Sequence, residues 1–170
     1  KSWGDKMVKK GVILSGPPGC GKTSAAIALA NDMEWEVIEL NASDARSGAV
    51  IEGTALRAGL FQTFGSKGLA DRNLILLDEA DNLYERARQS KNKTKNYSDR
   101  GGKRAITKTL EQTKQPVVIT VNDLYNLTKG TGAKIKRLCL NLKFQRPSVV
   151  SIATVLQNIC QNEGLEISNE

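Results

Sequence analysis

Residues 16–23, Gly-Pro-Pro-Gly-Cys-Gly-Lys-Thr, match the pattern G-x-x-x-x-G-K-[ST] and stand between an apolar run and an alanine-rich stretch. The run at residues 12–15 suits a buried strand, and residues 23–33 have the composition of a helix. A glycine-rich turn at such a junction directs backbone N–H groups toward phosphate oxygens, and the helix dipole strengthens the attraction. The pattern therefore predicts a phosphate-binding loop made of Gly16, Pro17, Pro18, Gly19, Cys20, Gly21, Lys22, Thr23 and Ser24.

Two adjacent carboxylates follow a second apolar run. Residues 74–77 predict a buried strand that ends in Asp78 and Glu79, at the sheet edge where open α/β folds bind ligands. In this arrangement Lys22 reaches the β and γ phosphates, and Thr23 and Asp78 hold Mg²⁺. Glu79 orients or deprotonates the attacking water. The alternative is an acidic helix N-terminus, where the helix dipole would stabilise the same carboxylates.

A third polar group, Asn122-Asp123, follows the β-branched run at residues 117–121. An amide at this edge can hold the attacking water or a γ-phosphate oxygen without adding negative charge. Asn122 is therefore the third predicted catalytic residue, beside Lys22 and Glu79. A simple turn remains the alternative, because Asn-Asp is favourable turn chemistry.

The choice of nucleotide follows from a missing motif. A guanine-specific site would need Asn-Lys-x-Asp, and the nearest string, at residues 92–95, lacks the aspartate. ATP is thus favoured over GTP, with Mg²⁺ as the accompanying ion. The carboxylate pair favours hydrolysis by water over phosphoryl transfer to a small molecule.

Apolar runs alternate with helix-period segments along the chain, which predicts an α/β fold. Runs at residues 12–15, 37–40, 74–77, 117–121 and 138–144 predict five parallel strands in a three-layer α/β sandwich. After Pro147, apolar residues recur at helical spacing until Gly164, which suits a C-terminal cap. The predicted organisation is an ATPase core at residues 1–147 and the first helix of a lid domain at residues 148–170.

The chain has 170 residues and contains no histidine. This excludes serine–histidine–aspartate and cysteine–histidine nucleophiles, histidine zinc sites and acid–base catalysis by imidazole. The cysteines Cys20, Cys139 and Cys160 are widely spaced, which is typical of reduced thiols. No apolar stretch approaches the roughly 18 residues of a membrane span, and no signal-peptide pattern follows the basic start. We expect a soluble intracellular protein without a membrane partner.

Positive charge is concentrated in two segments. The net charge is +7, yet residues 86–108 carry +8 and residues 129–146 carry +6. Such segregation favours contact with phosphates outside the ATP site. Residues 98–104 begin a predicted helix with small residues and arginines, which can bind phosphates of any sequence. The predicted DNA-binding residues are Arg100, Gly101, Lys103 and Arg104; the alternative is a solvated loop and helix face.

Six strings together resemble the large subunit of replication factor C, the AAA+ sliding-clamp loader, most closely the archaeal type. The phosphate loop alone indicates only an ATPase, whereas Asn-Ala-Ser-Asp and Asp-Arg-Gly-Gly narrow the likeness to clamp loaders. The likeness covers residues 11–165. The strings are GPPGCGKT at 16–23, ELNASD at 39–44, LLDEAD at 76–81, DRGG at 99–102, ND at 122–123 and FQRP at 144–147.

The resemblance implies a P-loop NTPase of AAA+ type with strand order 5-1-4-3-2. It also implies an ATP-dependent hetero-pentamer with small subunits, which opens a sliding clamp and loads it at primer-template DNA. Asn122 then senses the γ-phosphate. Asn41 either holds Glu79 inactive until DNA binds or caps its strand. The expected location is the cytoplasm with the DNA, or the nucleus if the protein is eukaryotic.

The resemblance further implies a clamp-binding role for an apolar segment at residues 60–64. In the family this region projects apolar and aromatic side chains into a pocket on the clamp. The residues concerned are Leu60, Phe61 and Phe64. The alternative is that these side chains belong to the core.

Three departures from the family pattern limit the comparison. The segment that closes over adenine is missing before Lys1, and most of the lid and the collar are absent beyond Glu170, so we expect a fragment. The Ser-Arg-Cys arginine finger of the small subunits is not matched at residues 137–139, which read Arg-Leu-Cys. The prediction is an ATPase subunit of a clamp loader, active in the assembled complex. The alternatives are another AAA+ DNA motor or initiator, or a nucleotide-dependent scaffold that does not hydrolyse ATP.

Overall fold

The computed structural model describes residues 9–41, 53, 63–64, 70–83 and 101–165. Its main strands are β1 (Gly11–Ser15), β2 (Glu36–Asn41), β5 (Asn73–Asp78), β6 (Val117–Val121) and β7 (Cys139–Lys143), with β3 (Thr63–Phe64) and β4 (Ala70–Asp71) as a separate short antiparallel pair. The helices are α1 (Lys22–Asp32), α2 (Gly102–Gln112), α3 (Leu124–Thr128), α4 (Ala133–Leu138) and α5 (Val149–Asn162), and 3₁₀ turns lie at Ala80–Asn82 and Gly130–Gly132.

The five main strands form one parallel sheet in the order β2-β5-β6-β1-β7. Numbered by their place in the chain, they follow the order 2-3-4-1-5, so the predicted order 5-1-4-3-2 is confirmed. The central strands β5 and β6 are buried along almost their whole length, as expected for strands covered on both faces. All five predicted apolar runs form strands. The pair β3–β4 was not predicted.

Helices cover both faces of the sheet and complete the predicted three layers. Residues that alternate along each strand point to opposite faces, so the core divides in two. On one face Leu14, Leu74 and Leu76 pack with Ala26 and Ala30 of α1. On the other face the strands pack against α2, α3 and α4, with a core that includes Ile13, Ile75, Leu77, Ile119, Ile106, Leu110, Leu127 and Ile135.

Two boundaries differ from the sequence prediction. Leu138 was expected to begin the last strand, but it ends α4, and the strand begins at Cys139. The last helix begins at Val149, where the Ser148 hydroxyl accepts a hydrogen bond from the Ser151 N–H, and Gly164 follows its end with φ +69°. No residue of α5 is buried. The division between two domains at residue 147 stays a prediction. Among the described residues, no helix is long and apolar enough to cross a membrane.

Candidate active site

The glycine-rich loop connects β1 to α1, as the sequence predicted. At Gly16 an added Cβ would overlap the Phe144 carbonyl oxygen and lie 2.9 Å from the Phe144 Cβ. Gly19 and Gly21 have φ of +72° and +87°, a conformation that side chains with a Cβ rarely adopt. Gly21 is the N-cap of α1, so the helix begins directly at Lys22. The loop therefore depends on glycine for its backbone path.

Lys22 is held at the centre of this loop with its side chain only 8% exposed. Its Nζ donates to the carbonyl oxygens of Gly16 and Pro17, both at 2.8 Å, and to Oδ1 of Asn122 at 3.0 Å. All three oxygen acceptors are neutral, the Cys20 Sγ lies farther away at 3.9 Å, and no carboxylate among the described residues forms an ion pair with this ammonium. A cation buried without a counter-charge attracts an anion, because dehydrating it has a large cost. The arrangement suits a phosphate group.

Thr23 and Asp78, the two predicted metal ligands, are in direct contact. Thr23 Oγ1 donates to Asp78 Oδ1 at 3.0 Å. The same carboxylate oxygen accepts a hydrogen bond from Thr120 Oγ1, on the neighbouring strand β6. Hydroxyl and carboxylate oxygens are ligands that Mg²⁺ prefers, so the donor set fits this ion.

Glu79 stands immediately beyond β5 in a left-handed backbone conformation, with φ 52° and ψ 39°. Few residues other than glycine adopt it. The Glu79 N–H donates to Thr120 Oγ1 at 3.1 Å. The element that follows is a three-residue 3₁₀ turn, and the Glu79 side chain makes no capping hydrogen bond to it. The alternative of an acidic helix N-terminus stays open, because a helix after this turn would lie in residues 84–100, outside the described residues.

Asn122 and Asp123 have separate roles. Asn122 Oδ1 accepts from Lys22 Nζ, although 100 residues separate the two in sequence. Asp123 Oδ1 accepts from the Tyr125 N–H at 2.8 Å and caps α3, while its own N–H donates to Asp81 Oδ2 at 3.1 Å. The turn alternative therefore describes Asp123, whereas Asn122 contacts the phosphate loop.

The predicted DNA-binding residues divide between surface and core. Arg104 is exposed, and Gly101 is the half-buried N-cap of α2. Lys103 is buried: it is 4% exposed, and its Nζ donates to the Lys129 carbonyl at 3.2 Å, while its contact with DNA stays a prediction. Helical periodicity turns position 103 toward α3 and the following turn, while 104 and 108 face outward. Arg100 lies outside the described residues.

The predicted clamp-binding residues are only partly covered. Leu60 and Phe61 lie outside the described residues. Phe64 belongs to the short strand β3, of which only the backbone is described. The clamp-binding assignment stays a prediction.

Thr120 contacts both residues of the carboxylate pair and was not predicted as a site residue. A signal was available, because Thr120 is the one polar side chain in the run Val-Val-Ile-Thr-Val. A hydroxyl in a buried strand needs a hydrogen-bond partner. Identifying that partner requires the pairing of β5 with β6.

This chain is similar in sequence and in fold to known ATPases. A family model described as "ATPase family associated with various cellular activities (AAA)" matches residues 12–144. A solved AAA domain of FIGL-1 in complex with ADP superposes with a TM-score of 0.66 and 21% identity, over 96% of this chain and 52% of that one. A katanin structure gives a TM-score of 0.66 and 18% identity, over 97% of this chain and 50% of that one. These two likenesses concern the fold.

Closer sequence relatives are archaeal replication factor C large subunits, as the motifs indicated. The chain is 44% identical to that of Methanosarcina mazei over 162 residues, which is 95% of this chain and 23% of the relative. It is 42% identical to that of Natronomonas pharaonis over 170 residues, which is 100% of this chain and 31% of the relative. The chain thus spans about a quarter to a third of these relatives. From the family model that matches its sheet and site, the chain belongs to the AAA family of ATPases.

Proposed function

We propose that this chain binds ATP with Mg²⁺, hydrolyses it to ADP and phosphate, and serves as the ATPase part of a DNA sliding-clamp loader. The observation that carries the proposal is the meeting of three chain segments at one sheet edge. Lys22 of the phosphate loop contacts Asn122, and Thr23 contacts Asp78. Loop, carboxylate pair and amide thus come together where ligands bind in open α/β sheets.

Each residue in this cluster has a distinct proposed task. Lys22 exchanges its neutral acceptors for phosphate oxygens, which offer stronger charge-assisted hydrogen bonds. Thr23 and Asp78 hold Mg²⁺, and this ion when bound neutralises charge on the phosphates. Asn122, already within 3.0 Å of Lys22 Nζ, contacts the γ-phosphate with its amide.

Glu79 is the proposed general base. It stands one residue beyond Asp78, and its backbone is held by Thr120 at the same edge. A carboxylate near the γ-phosphate can accept a proton from the attacking water, a role that contributes about 10²–10⁴-fold to rate in other enzymes. The proton moves to a Glu79 carboxylate oxygen as the water oxygen bonds to phosphorus and the bond to ADP breaks.

The clamp-loader part of the proposal is supported by relatives. The similar proteins from M. mazei and N. pharaonis are named replication factor C large subunits. By that likeness the partners are clamp-loader small subunits in a hetero-pentamer, a sliding clamp and primer-template DNA. Hydrolysis is expected mainly in the assembled complex. A scaffold without hydrolysis would give another outcome in the experiment below, whereas a different AAA+ motor or initiator would be recognised by its failure to bind a sliding clamp.

The test of the proposed function is Glu79→Gln in the full-length protein assembled with its partner subunits. Because the amide cannot accept the proton, we expect kcat for ATP hydrolysis to fall by about 100-fold or more. The Kd for ATP should stay within about twofold, because the phosphate contacts of Lys22 remain. Rates are measured by phosphate release, and binding with a fluorescent ATP analogue.

The matched control is Glu163→Gln, the same chemical change at the exposed C-cap of α5. This variant should hydrolyse ATP at the unaltered rate. Unchanged turnover in Glu79→Gln would reject the role of Glu79. An unaltered complex that binds ATP but never releases phosphate would favour the scaffold alternative.

A further inference from the structure

Thr120 places a buried hydroxyl on a central strand of the sheet, near the carboxyl end of that strand. It belongs to β6, which lies between β1 and β5, and its side chain is 2% exposed. Its neighbours in the strand are apolar and equally buried. Valine has nearly the same shape and would avoid burying a polar group, so the hydroxyl needs an explanation in its contacts.

Those contacts join Thr120 to two consecutive residues of the proposed active site. Its Oγ1 donates to Asp78 Oδ1 and accepts from the Glu79 N–H at 3.1 Å. The same hydroxyl thus donates a hydrogen bond to Asp78, the residue proposed to hold Mg²⁺, and accepts one from Glu79, the residue proposed as base. The hydrogen bond to the Glu79 N–H also supports the left-handed conformation of that residue.

The two oxygens of Asp78 differ in their surroundings. Oδ1 accepts hydrogen bonds from both Thr23 and Thr120. In the part of the chain that the structure describes, Oδ2 accepts none. Two hydroxyls, from α1 and from β6, hold the same carboxylate oxygen and leave the other oxygen available to a cation.

We propose that Thr120 is a positioning residue that orients the Asp78 carboxylate for Mg²⁺ and holds the Glu79 backbone for catalysis. The inference rests on the proposed binding of ATP with Mg²⁺. Thr120 is the penultimate residue of β6, and Asn122 follows directly after that strand. One short segment of chain therefore carries both the hydroxyl that contacts the carboxylates and the amide of the proposed phosphate contact.

The test compares Thr120→Val, which removes the hydroxyl and keeps the shape, with Thr120→Ser, which keeps the hydroxyl. One readout is the Mg²⁺ requirement of nucleotide binding. It is the Mg²⁺ concentration at which the affinity of the full-length protein for a fluorescent ATP analogue has risen by half of its maximal increase. The other is kcat and KM for ATP in the assembled complex. Groups that orient metal ligands commonly contribute about 10–100-fold, so Thr120→Val should raise the Mg²⁺ requirement and lower kcat by about tenfold or more. KM should change little, and Thr120→Ser should stay within about threefold of the unaltered protein.

Thr109→Val is the matched control. Thr109 on α2 is fully buried, and its hydroxyl has no hydrogen-bond partner among the described residues. This variant should leave the Mg²⁺ requirement and kcat unchanged. An unaltered Mg²⁺ requirement and kcat in Thr120→Val would overturn the proposal, and so would a Thr120→Ser variant as defective as Thr120→Val.

The two readouts separate this proposal from the proposed function. If the unaltered complex fails to hydrolyse ATP, the proposed hydrolysis is wrong, while a raised Mg²⁺ requirement in Thr120→Val still supports the positioning role. If the unaltered complex hydrolyses ATP and Thr120→Val behaves identically in both readouts, only the positioning role is wrong. Thermal unfolding of each variant checks that loss of activity does not come from unfolding.

Discussion

Lys22 and Lys103 are both buried lysines, yet their ammonium groups have different surroundings. Lys22 Nζ meets carbonyl oxygens of the phosphate loop and the amide of Asn122 at the sheet edge. Lys103 Nζ donates to the carbonyl of Lys129, the C-cap of α3. A positive charge is favourable near the C-terminal end of a helix. Lys22 is thus available to an incoming anion, whereas Lys103 ties α2 to the residue that ends α3.

Cys139 is a residue whose chemistry is set by burial. It begins β7, is 1% exposed, and packs in the core beside Gly11. Desolvation raises the pKa of its thiol from an ordinary value of 9.0 to about 12, and the nearby Lys9 charge lowers it by less. The thiol therefore stays protonated in the folded protein at neutral pH.

Cys139 predicts a pH dependence of stability. The folded pKa lies above the unfolded one, so the protonated thiol contributes its full stabilisation below pH 9 and loses it as pH rises toward 12. From this thiol alone, the free energy of unfolding should fall by about 1.4 kcal/mol per pH unit above pH ~9. Urea unfolding of the unaltered protein and of Cys139→Ala between pH ~8 and ~10.5 measures the difference in slope.

Cys160→Ala is the control for this experiment, because that thiol is only half-buried. It should retain the steep decline of the unaltered protein, whereas Cys139→Ala should show a shallower one. Parallel pH profiles for all three proteins would contradict the assignment to Cys139.

At the scale of elements, the turn between α3 and α4 shows how closely backbones approach one another. The Lys129 carbonyl accepts hydrogen bonds from Lys103 Nζ and from the Gly132 N–H, both at 3.2 Å. An added Cβ at Gly132 would overlap the Leu127 carbonyl oxygen and lie 3.0 Å from its carbonyl carbon. Both obstructing atoms are backbone, so a rotamer change cannot relieve the contact.

Gly132→Ala is expected to destabilise the fold by about 2 kcal/mol or more, since the helices must separate to admit the methyl group. The control is Gly130→Ala in the same turn, where φ is +63° and no atom lies within 4 Å of an added Cβ. That change carries only the strain of a left-handed alanine, about 1 kcal/mol. Urea midpoints compare the two variants, and equal losses would contradict the role of the close approach.

Helix α5 differs from the other elements in how little of it is covered. Ile152, Val155, Leu156 and Ile159 recur at helical spacing and remain about half exposed, between 45% and 56%. The helix nevertheless has an N-cap at Ser148 and a closed C-terminal turn in which the Leu165 N–H donates to the Cys160 carbonyl at 2.8 Å. Caps at both ends therefore define where this helix begins and ends, while its apolar face is not buried within the described residues.

At the scale of the whole molecule, the described part of the basic charge lies mainly at the surface. Arg104 and Lys108 are exposed one turn apart on α2, while Lys103 is buried. At the surface, Lys134 Nζ of α4 forms an ion pair with Glu111 Oε1 of α2 at 3.8 Å. Of the described basic residues in the segment 86–108, Arg104 and Lys108 are therefore the two that are exposed for the predicted DNA contact.

Arg104→Glu with Lys108→Glu tests this surface in the full-length protein assembled with its partner subunits. If each side chain contacts one phosphate, the double variant should bind primer-template DNA more weakly and reduce the slope of log K against log salt by about 2. Lys143→Glu with Arg146→Glu changes the net charge equally, at and beyond the edge strand β7. This control variant should keep more of the slope of the unaltered protein. Identical slopes for all three proteins would contradict the assignment of the DNA contact to α2.

Much of this architecture follows from local patterns in the sequence. Apolar runs predicted the strands before Gly16, Asp78 and Asn122, and the glycines predicted the loop. The polar residues after these runs predicted the candidate site. Such predictions are possible because strand length, turn chemistry and periodicity are local properties. The same information places the polar groups at strand ends. It explains why the strand bounds could be predicted closely, whereas the roles of the site residues stay predictions.

Contacts between distant segments depend on which strands and helix faces pack together. Lys22 meets Asn122 because β6 lies beside β1, and Thr120 reaches Asp78 because β6 also lies beside β5. Lys103 is buried because its face of α2 packs on the elements around Lys129, although its neighbours in sequence predicted a basic surface. Periodicity identifies faces and edges, whereas long-range packing selects their partners, and that selection brings the residues of the candidate active site together.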